Sequence, residues 1–447
     1  MTSLLAGTRS SPRRPTGQIV RDVLARFWSV LLLVGLGLAT TLINVSAEPT
    51  HFSPYDEWVY YDYVTKVPTQ LFVRQGETIG QPALEAMACF GDTYGPRGEA
   101  CTGPRGTYDD PAAYPQGGVT SADPYTPAYF AITWAIAQPI SFITHASLLT
   151  SARAVGALWL AGGLIMLFLL CREFKLRPLI YLGLGLAYIG STHFAYTYIS
   201  SDAPSFLMGA GLAWLGVRYA NTGRGRWWLV GGAVVATWFK VTNILEVGVI
   251  VVALALMALT IRHRASERNH PRPRSLLTTA VFMAIASVLA ELLWLGFRAW
   301  MRVGDSPNQG VSGALTPRGI VAYTFTFIFP SDRPDALSSW PLLLLAPMSG
   351  LLLVGVTGWF LVTRGASLNR AWSVATAAAA VAFAPALAVA MQVLMGEAAP
   401  VSSRYGGALV PMFLIALGMI MRNKLGVWLL VAYGGGITVL NALGLLN

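Results

Sequence analysis

The chain has 447 residues, 54% of them hydrophobic and only 12% charged, about half the charged share of an ordinary soluble domain. A mean hydropathy of +0.55 and long uncharged runs separated by short basic clusters exclude a soluble globular protein and point to a polytopic, all-α membrane protein. The net charge of +10 is not the footprint of a nucleic-acid partner, because the arginines lie in loops between apolar runs, where they set topology.

Residues 1–26 carry Arg9, Arg13, Arg14, Arg21 and Arg26 with Pro and Ser, the composition of a disordered cytoplasmic tail. The apolar run 27–46 follows as a first transmembrane helix. Val45-Ser46-Ala47 offers small residues of the kind a signal peptidase uses, but the run is long for a signal peptide and an uncleaved span is expected. Residues 47–126 are rich in Gly, Pro, Asp and Tyr, too polar for a bilayer and too long for a passive connector. The stretch 129–143, interrupted by Pro139, falls short of the roughly 20 residues a span needs. Residues 47–151 are therefore expected to form an extracytoplasmic loop with juxtamembrane helices. Residues 152–447 are expected to form a helical bundle.

Within the bundle, apolar runs cover 152–171, 178–195, 204–220, 227–241, 244–261, 275–297, 341–363, 371–392, 405–421 and 425–446. Basic loops fall at 172–177, 224–226, 262–274, 364–370 and 422–424. If 129–143 lies at the interface or re-enters rather than crossing, all five basic loops share the cytoplasmic side. That gives about eleven spans, an internal N-terminus and an external C-terminus. Five external segments then collect the polar and aromatic residues: the long first loop, 193–205, 240–243, 298–340 and 395–405.

Candidate chemistry lies in those segments. Asp56-Glu57, after Pro54 and among Trp58, Tyr60, Tyr61 and Tyr63, is an acid pair at a membrane exit. Such a pair can act as a general base or hold a divalent ion, or it can simply favour a helix N-terminus. Asp123-Pro124-Tyr125-Thr126-Pro127-Ala128-Tyr129 opens an apolar helix with two prolines. Asp202, two residues before Pro204, is a substrate contact or a helix cap. Lys240 in an otherwise apolar stretch is a candidate anion binder or a snorkelling side chain. Arg404-Tyr405 begins a late span on the external side, against the usual charge bias, and Arg suits bidentate phosphate contact. Cys89 and Cys101, twelve residues apart in an external loop, are a candidate disulfide. Cys171 stands near the cytoplasm. CxxC, HExxH, P-loop and GxGxxG patterns are absent from the sequence, against a nucleotide-driven pump or a zinc protease.

The order of these features resembles the GT-C superfamily of membrane glycosyltransferases, which includes protein O-mannosyltransferases, lipid A aminoarabinose transferases and actinobacterial arabinosyl- and mannosyltransferases. Asp56-Glu57 matches by position the acidic motif of the first external loop in that family. Asp123-Pro124-Tyr125-Thr126-Pro127 loosely resembles its His-Pro-Pro motif without the His, and Thr197–Asp202 its Ser-Arg…Asp pattern without the Arg. Thr237–Lys240 resembles its Thr-Lys pair with shifted spacing, and Arg404-Tyr405 with Pro411 its late Arg-Tyr…Pro pattern.

The resemblance implies a GT-C fold and a polyprenyl-phosphate-linked sugar as donor. It implies Arg404 and Lys240 on the donor phosphate, with Asp56 as base and Glu57 as its partner. Tyr61, Tyr125, Tyr129, Asp202 and Tyr405 are the expected substrate contacts. The acceptor would be a glycan, lipid or protein of the cell envelope, reached from the outer face of the plasma membrane. A magnesium or manganese ion is compatible with the acid pair and is not required by it. The competing functions are a flippase or transporter, which would be built from inverted halves, and an oligosaccharide ligase, whose large loop usually falls late in the chain.

Overall fold

A computed structural model describes residues 16–48, 51–53, 56–91, 101, 110–261, 271–307, 314–328, 339–365, 367–395 and 400–446. The expected tail at 1–15, the Pro54 turn, most of the 262–274 basic loop and parts of the 298–340 and 395–405 loops lie outside the described residues. In chain order the helices are α1 (Thr16–Ala47), α2 (Glu57–Gln70), α3 (Gln81–Phe90), α4 (Pro127–Thr144), α5 (Leu148–Glu173), α6 (Pro178–Ser191), α7 (Phe194–Thr197) and α8 (Ser205–Thr222). They continue as α9 (Arg226–Phe239), α10 (Ile244–Ile261), α11 (Pro273–Trp300), α12 (Pro317–Ala322), α13 (Ser339–Val362), α14 (Leu368–Met395), α15 (Val410–Ile420) and α16 (Lys424–Ala442). Among the described residues there is no strand, only an isolated bridge between Thr78 and Val119. The chain is an all-α protein with the helices of a polytopic membrane protein.

Among the described residues, seven stretches are long and apolar enough to cross a membrane: Phe27–Ala47, Leu148–Glu173, Val241–Thr260, Pro273–Trp300, Leu343–Val362, Leu368–Val393 and Lys424–Ala442. The other runs counted as spans form shorter or more polar helices. At about 1.5 Å per residue, the 14 residues of α6 and the 11 of α15 reach only roughly 21 and 17 Å, against a hydrocarbon core of about 30 Å. Both are wrapped in protein. α6 is buried from Ile180 to Ser191 and α15 from Val410 to Gly418. Helix ends at membrane depth are tolerated in such surroundings, because neighbouring protein rather than lipid meets their free backbone groups. α6 packs along α16, where a Cβ on Gly434 would strike the Ala187 amide, and α8 approaches the 403–409 segment so closely that a Cβ on Gly209 would strike the Ala408 carbonyl.

The helix ends sort into two groups. At one end, Phe174 meets Trp359 (5.7 Å between rings), Leu176 packs near Gly418, and Tyr219 hydrogen-bonds Ser275 and Thr279. The described residues of the basic loops belong to this end. At the other end, α1 meets the α6–α7 junction through Asn44 and His193 (3.1 Å), and α2 meets α5 through Glu57 and Arg153.

That second end carries the described residues of the 47–151 segment as a small lobe. α2 stacks on α4 through Tyr63 and Phe130, whose rings are 4.0 Å apart and nearly parallel. Cys89 of α3 is joined to Cys101 in a disulfide. The lobe is pinned to α11 by Arg298 on Asp123, by the Trp294 indole donating to the Pro124 carbonyl (2.8 Å), and by Phe72 against Phe297 (5.0 Å). The borderline stretch is the helix α4, which lies against α2 and α5. α5 begins at Leu148, slightly ahead of the expected bundle boundary, and α1 begins at Thr16, ahead of the apolar run.

Candidate functional site

Asp56 and Glu57 part company at the start of α2. Asp56 takes the N-cap position with φ of 52°, in the left-handed region that Asp tolerates better than most residues. Its side chain makes no capping hydrogen bond. The carboxylate instead faces Arg404, with Oδ2 to Nη2 at 3.4 Å, and stays partly open to solvent. Glu57 turns the other way and is fully buried. Its two oxygens accept from Arg153 Nε and Nη2 (both 2.8 Å), from the Ser53 amide (2.8 Å) and from the Ile199 amide (2.9 Å). Arg153 also donates to the carbonyls of Glu48 and His51. A buried ion pair survives only when its remaining hydrogen-bonding groups are satisfied, and here they are. Glu57 therefore ties α2, α5 and the 198–202 segment together.

Asp202 is not a helix cap: Pro204 holds that position ahead of α8. The Asp202 carboxylate is engaged by the Lys240 ammonium on one oxygen, and by Ser200 Oγ (3.3 Å) and Arg404 Nη1 (4.0 Å) on the other. Lys240 does not snorkel. It is buried where α9 ends and a 3₁₀ turn, Val241–Asn243, begins. The Tyr405 ring lies under both cations, 5.3 Å from Lys240 Nζ and 5.4 Å from the Arg404 guanidinium carbon, close enough for cation–π attraction. Burial works against the Arg404 charge, but Asp202 and its neighbours outweigh it, so the guanidinium holds its proton more tightly than usual.

Two phenols complete this face. Tyr60 donates to the Tyr125 hydroxyl at 2.9 Å, and Tyr63 donates to the Tyr125 carbonyl at 3.2 Å. Burial, then the neighbouring Tyr125 and Asp56, push the Tyr60 phenol well above its ordinary pKa. Burial also raises Tyr125, against the opposing pull of Lys240. Both phenols remain protonated near neutral pH, and Tyr60 gives its proton to the Tyr125 oxygen. Tyr125 is held by the Asp123 and Pro124 anchors to α11, and the next residue, Thr126, donates to the Trp238 carbonyl two residues before Lys240.

The structure thus brings together Asp56, Asp202, Lys240, Arg404, Tyr405 and Tyr125. It does not bring Glu57 or Tyr61 to that group. The Tyr61 ring packs 6.0 Å from Phe52 on the lobe. Tyr129 lies behind the site, its hydroxyl accepting from the Ser200 amide at 3.0 Å. Arg153 and Tyr60 are the residues that motif reading passes over. Arg153 carried a signal, an Arg on the external side of an apolar run; Tyr60 was masked by the aromatic residues around it. For a divalent ion, the carboxylates in reach are Asp56 and Asp202, each already opposite a cation, and among the described residues no three His, Cys, Asp or Glu side chains gather.

A scan against protein-family models finds no match to this chain, and a search of curated proteins finds none either.

Proposed function

We propose that this chain is a GT-C-type glycosyltransferase of the plasma membrane, crossing it about eleven times. In this reading it moves a sugar from a polyprenyl-phosphate donor to an acceptor hydroxyl of a cell-envelope glycan, lipid or protein. The basic loops face the cytoplasm, and the site lies at the opposite, extracytoplasmic end. One observation carries the reading: two carboxylates, two cations and three phenols converge from five separate stretches at helix ends. Desolvated cations with a reachable carboxylate beside them suit a transfer whose leaving group is an anion.

In the proposed reaction the donor phosphate lies between Arg404 and Lys240, drawing Arg404 away from Asp56. The freed Asp56 carboxylate takes the proton of the acceptor hydroxyl, and that oxygen attacks the anomeric carbon from the face opposite the phosphate. The bond from the anomeric carbon to the phosphate oxygen breaks, with its electron pair going to the phosphate. Polyprenyl phosphate leaves, and the anomeric configuration is inverted. Arg404 and Lys240 hold the charge that builds on the phosphate oxygen, while Tyr125, which accepts from Tyr60, supplies a neutral donor beside it. Asp202 keeps Lys240 and Arg404 in register. The test is transfer by purified protein from a panel of synthetic polyprenyl-phosphate sugars, with and without chelator. Transfer from at least one donor, lost in Asp56→Asn, is expected; no transfer from any donor in the wild type overturns the reading.

A further inference from the structure

At the end of the molecule opposite the charged cluster, an arginine is held in place with no acceptor. The turn from α8 to α9, Gly223-Arg224-Gly225, uses positive φ at both glycines (68° and 86°), so the chain reverses within a short turn. Gly223 lies against Pro271, which brings Arg272 and Arg274 at the start of α11 to the same turn. Arg226, the first residue of α9, holds its guanidinium carbon 5.0 Å from the centre of the Trp227 ring and 4.8 Å from that of Phe282 in α11. Cation–π contact fixes where such a charge sits but leaves its N–H groups in need of acceptors. Arg226 Nε is buried, and among the described residues nothing accepts from it. Residues 218–228 and 271–282 contain no Asp or Glu.

The surface around Arg226 is apolar and open. Trp227 and Trp228 are 67% and 78% exposed, and Val281 and Phe282 are exposed as well. Phe282 stands eight residues past Arg274, roughly 12 Å further along the helix, inside the stretch Pro273–Trp300 that is long enough to cross a membrane. A charge set among lipid-facing apolar side chains without a protein acceptor is costly. A lipid headgroup is the anion that such a surface meets. We infer that Arg226, with Arg224 beside it and Arg272 and Arg274 at the same turn, binds the headgroup phosphate of an acidic phospholipid whose acyl chains lie on Trp227, Trp228, Val281 and Phe282. The guanidinium fork matches phosphate oxygens, and basic pockets between membrane helices at the cytoplasmic side suit such headgroups. A free phosphate would use the arginines but not the apolar surface around them. This site lies away from the proposed sugar transfer and stands or falls without it.

Native mass spectrometry of the full-length protein, loaded with equal amounts of phosphatidylglycerol and phosphatidylcholine, tests the site. The measure is the ratio of the two lipids retained by each variant, which a change in overall stability leaves alone. Wild type should favour phosphatidylglycerol. Arg226→Gln, which removes the charge but keeps a polar side chain, should lower the ratio about fivefold. Arg422→Gln, in a different basic loop at the same end, should leave it unchanged. Arg224→Gln, at an exposed position, gives the same reading if Arg226→Gln does not fold. The inference is overturned by a wild type without preference, or by a ratio that Arg226→Gln leaves unchanged. An equal fall in Arg422→Gln also overturns it, since the preference would then come from overall positive charge. Calorimetric titration with inorganic phosphate in lipid-free detergent separates the two phosphate sources. No binding is expected; binding that Arg226→Gln abolishes would make this a soluble-phosphate site and overturn the lipid assignment.

Discussion

Two regions of the molecule use the same chemistry to opposite ends. In the Glu57–Arg153 clamp, every oxygen and most guanidinium donors are satisfied, and water is shut out. In the Asp56–Arg404–Asp202–Lys240 cluster, the contact between Asp56 and Arg404 is longer, 3.4 Å, and reaches solvent. The carboxylates that enter the two regions are adjacent in sequence. What separates them is backbone direction at the start of α2, where the left-handed Asp56 throws one side chain outward and the following helix turns the next one inward. A closed pair holds elements together; a looser pair can exchange partners with an incoming anion.

The comparison breaks most sharply at its two carboxylates. Asp56→Asn keeps a residue that tolerates the left-handed region and should lower transfer about a thousandfold, within the range ascribed to a positioned general base, with the unfolding temperature in detergent unchanged. Wild-type transfer rates in that variant would remove Asp56 from the chemistry. Glu57→Ala should do the reverse and destabilise the protein by about 3–5 kcal/mol, because it strands a buried guanidinium; thermal unfolding reads this. Glu57→Met combined with Arg153→Met should regain only part of that loss, since the Ser53 and Ile199 amides keep no acceptor. Full recovery would show that the ion pair, not the amide bonds, holds the segments.

Arg404→Ala comes next. Donor binding should weaken about tenfold to a hundredfold, in line with roughly 1.5–3 kcal/mol for a hydrogen bond to a charged group. Unchanged donor affinity, by titration of a fluorescent polyprenyl-phosphate analogue, would place the phosphate elsewhere.

The smallest effect belongs to the lobe. Burial raises the Glu77 carboxyl, but the Arg74 amide, Gln70 and Lys66 outweigh it and leave it below the usual range. A carboxyl lowered in the folded state adds stability above its unfolded value of about 4.3, and that stability is lost as pH falls through the folded value. Glu77→Gln should therefore lower the unfolding temperature slightly at neutral pH, with the gap to wild type closing as pH drops below about 4. A gap that widened in acid would reverse the sign. Asp62, raised chiefly by burial, works in the opposite direction and makes a useful control.

Much of the fold is legible in the sequence because hydrophobicity is a property of single residues summed over a window. The long runs 152–171, 275–297 and 425–446 announce themselves, and the described residues of the basic loops fall at one end as their spacing requires. The short helices α6 and α15 are not legible as such. A run of apolar residues looks the same whether it spans lipid or ends early inside protein, and only the neighbours that cover Thr192 and the 403–409 segment decide which.

At the site, residue type alone nominated Asp56, Asp202, Lys240 and Arg404, since charge next to apolar runs is costly and stands out. The sequence by itself determined that this is a helical membrane protein. Tertiary structure decided which of two neighbouring acids meets Arg404 and which is buried on Arg153. That choice depends on one backbone dihedral and on partners 96 and 348 residues away, and no local pattern encodes distances of that kind.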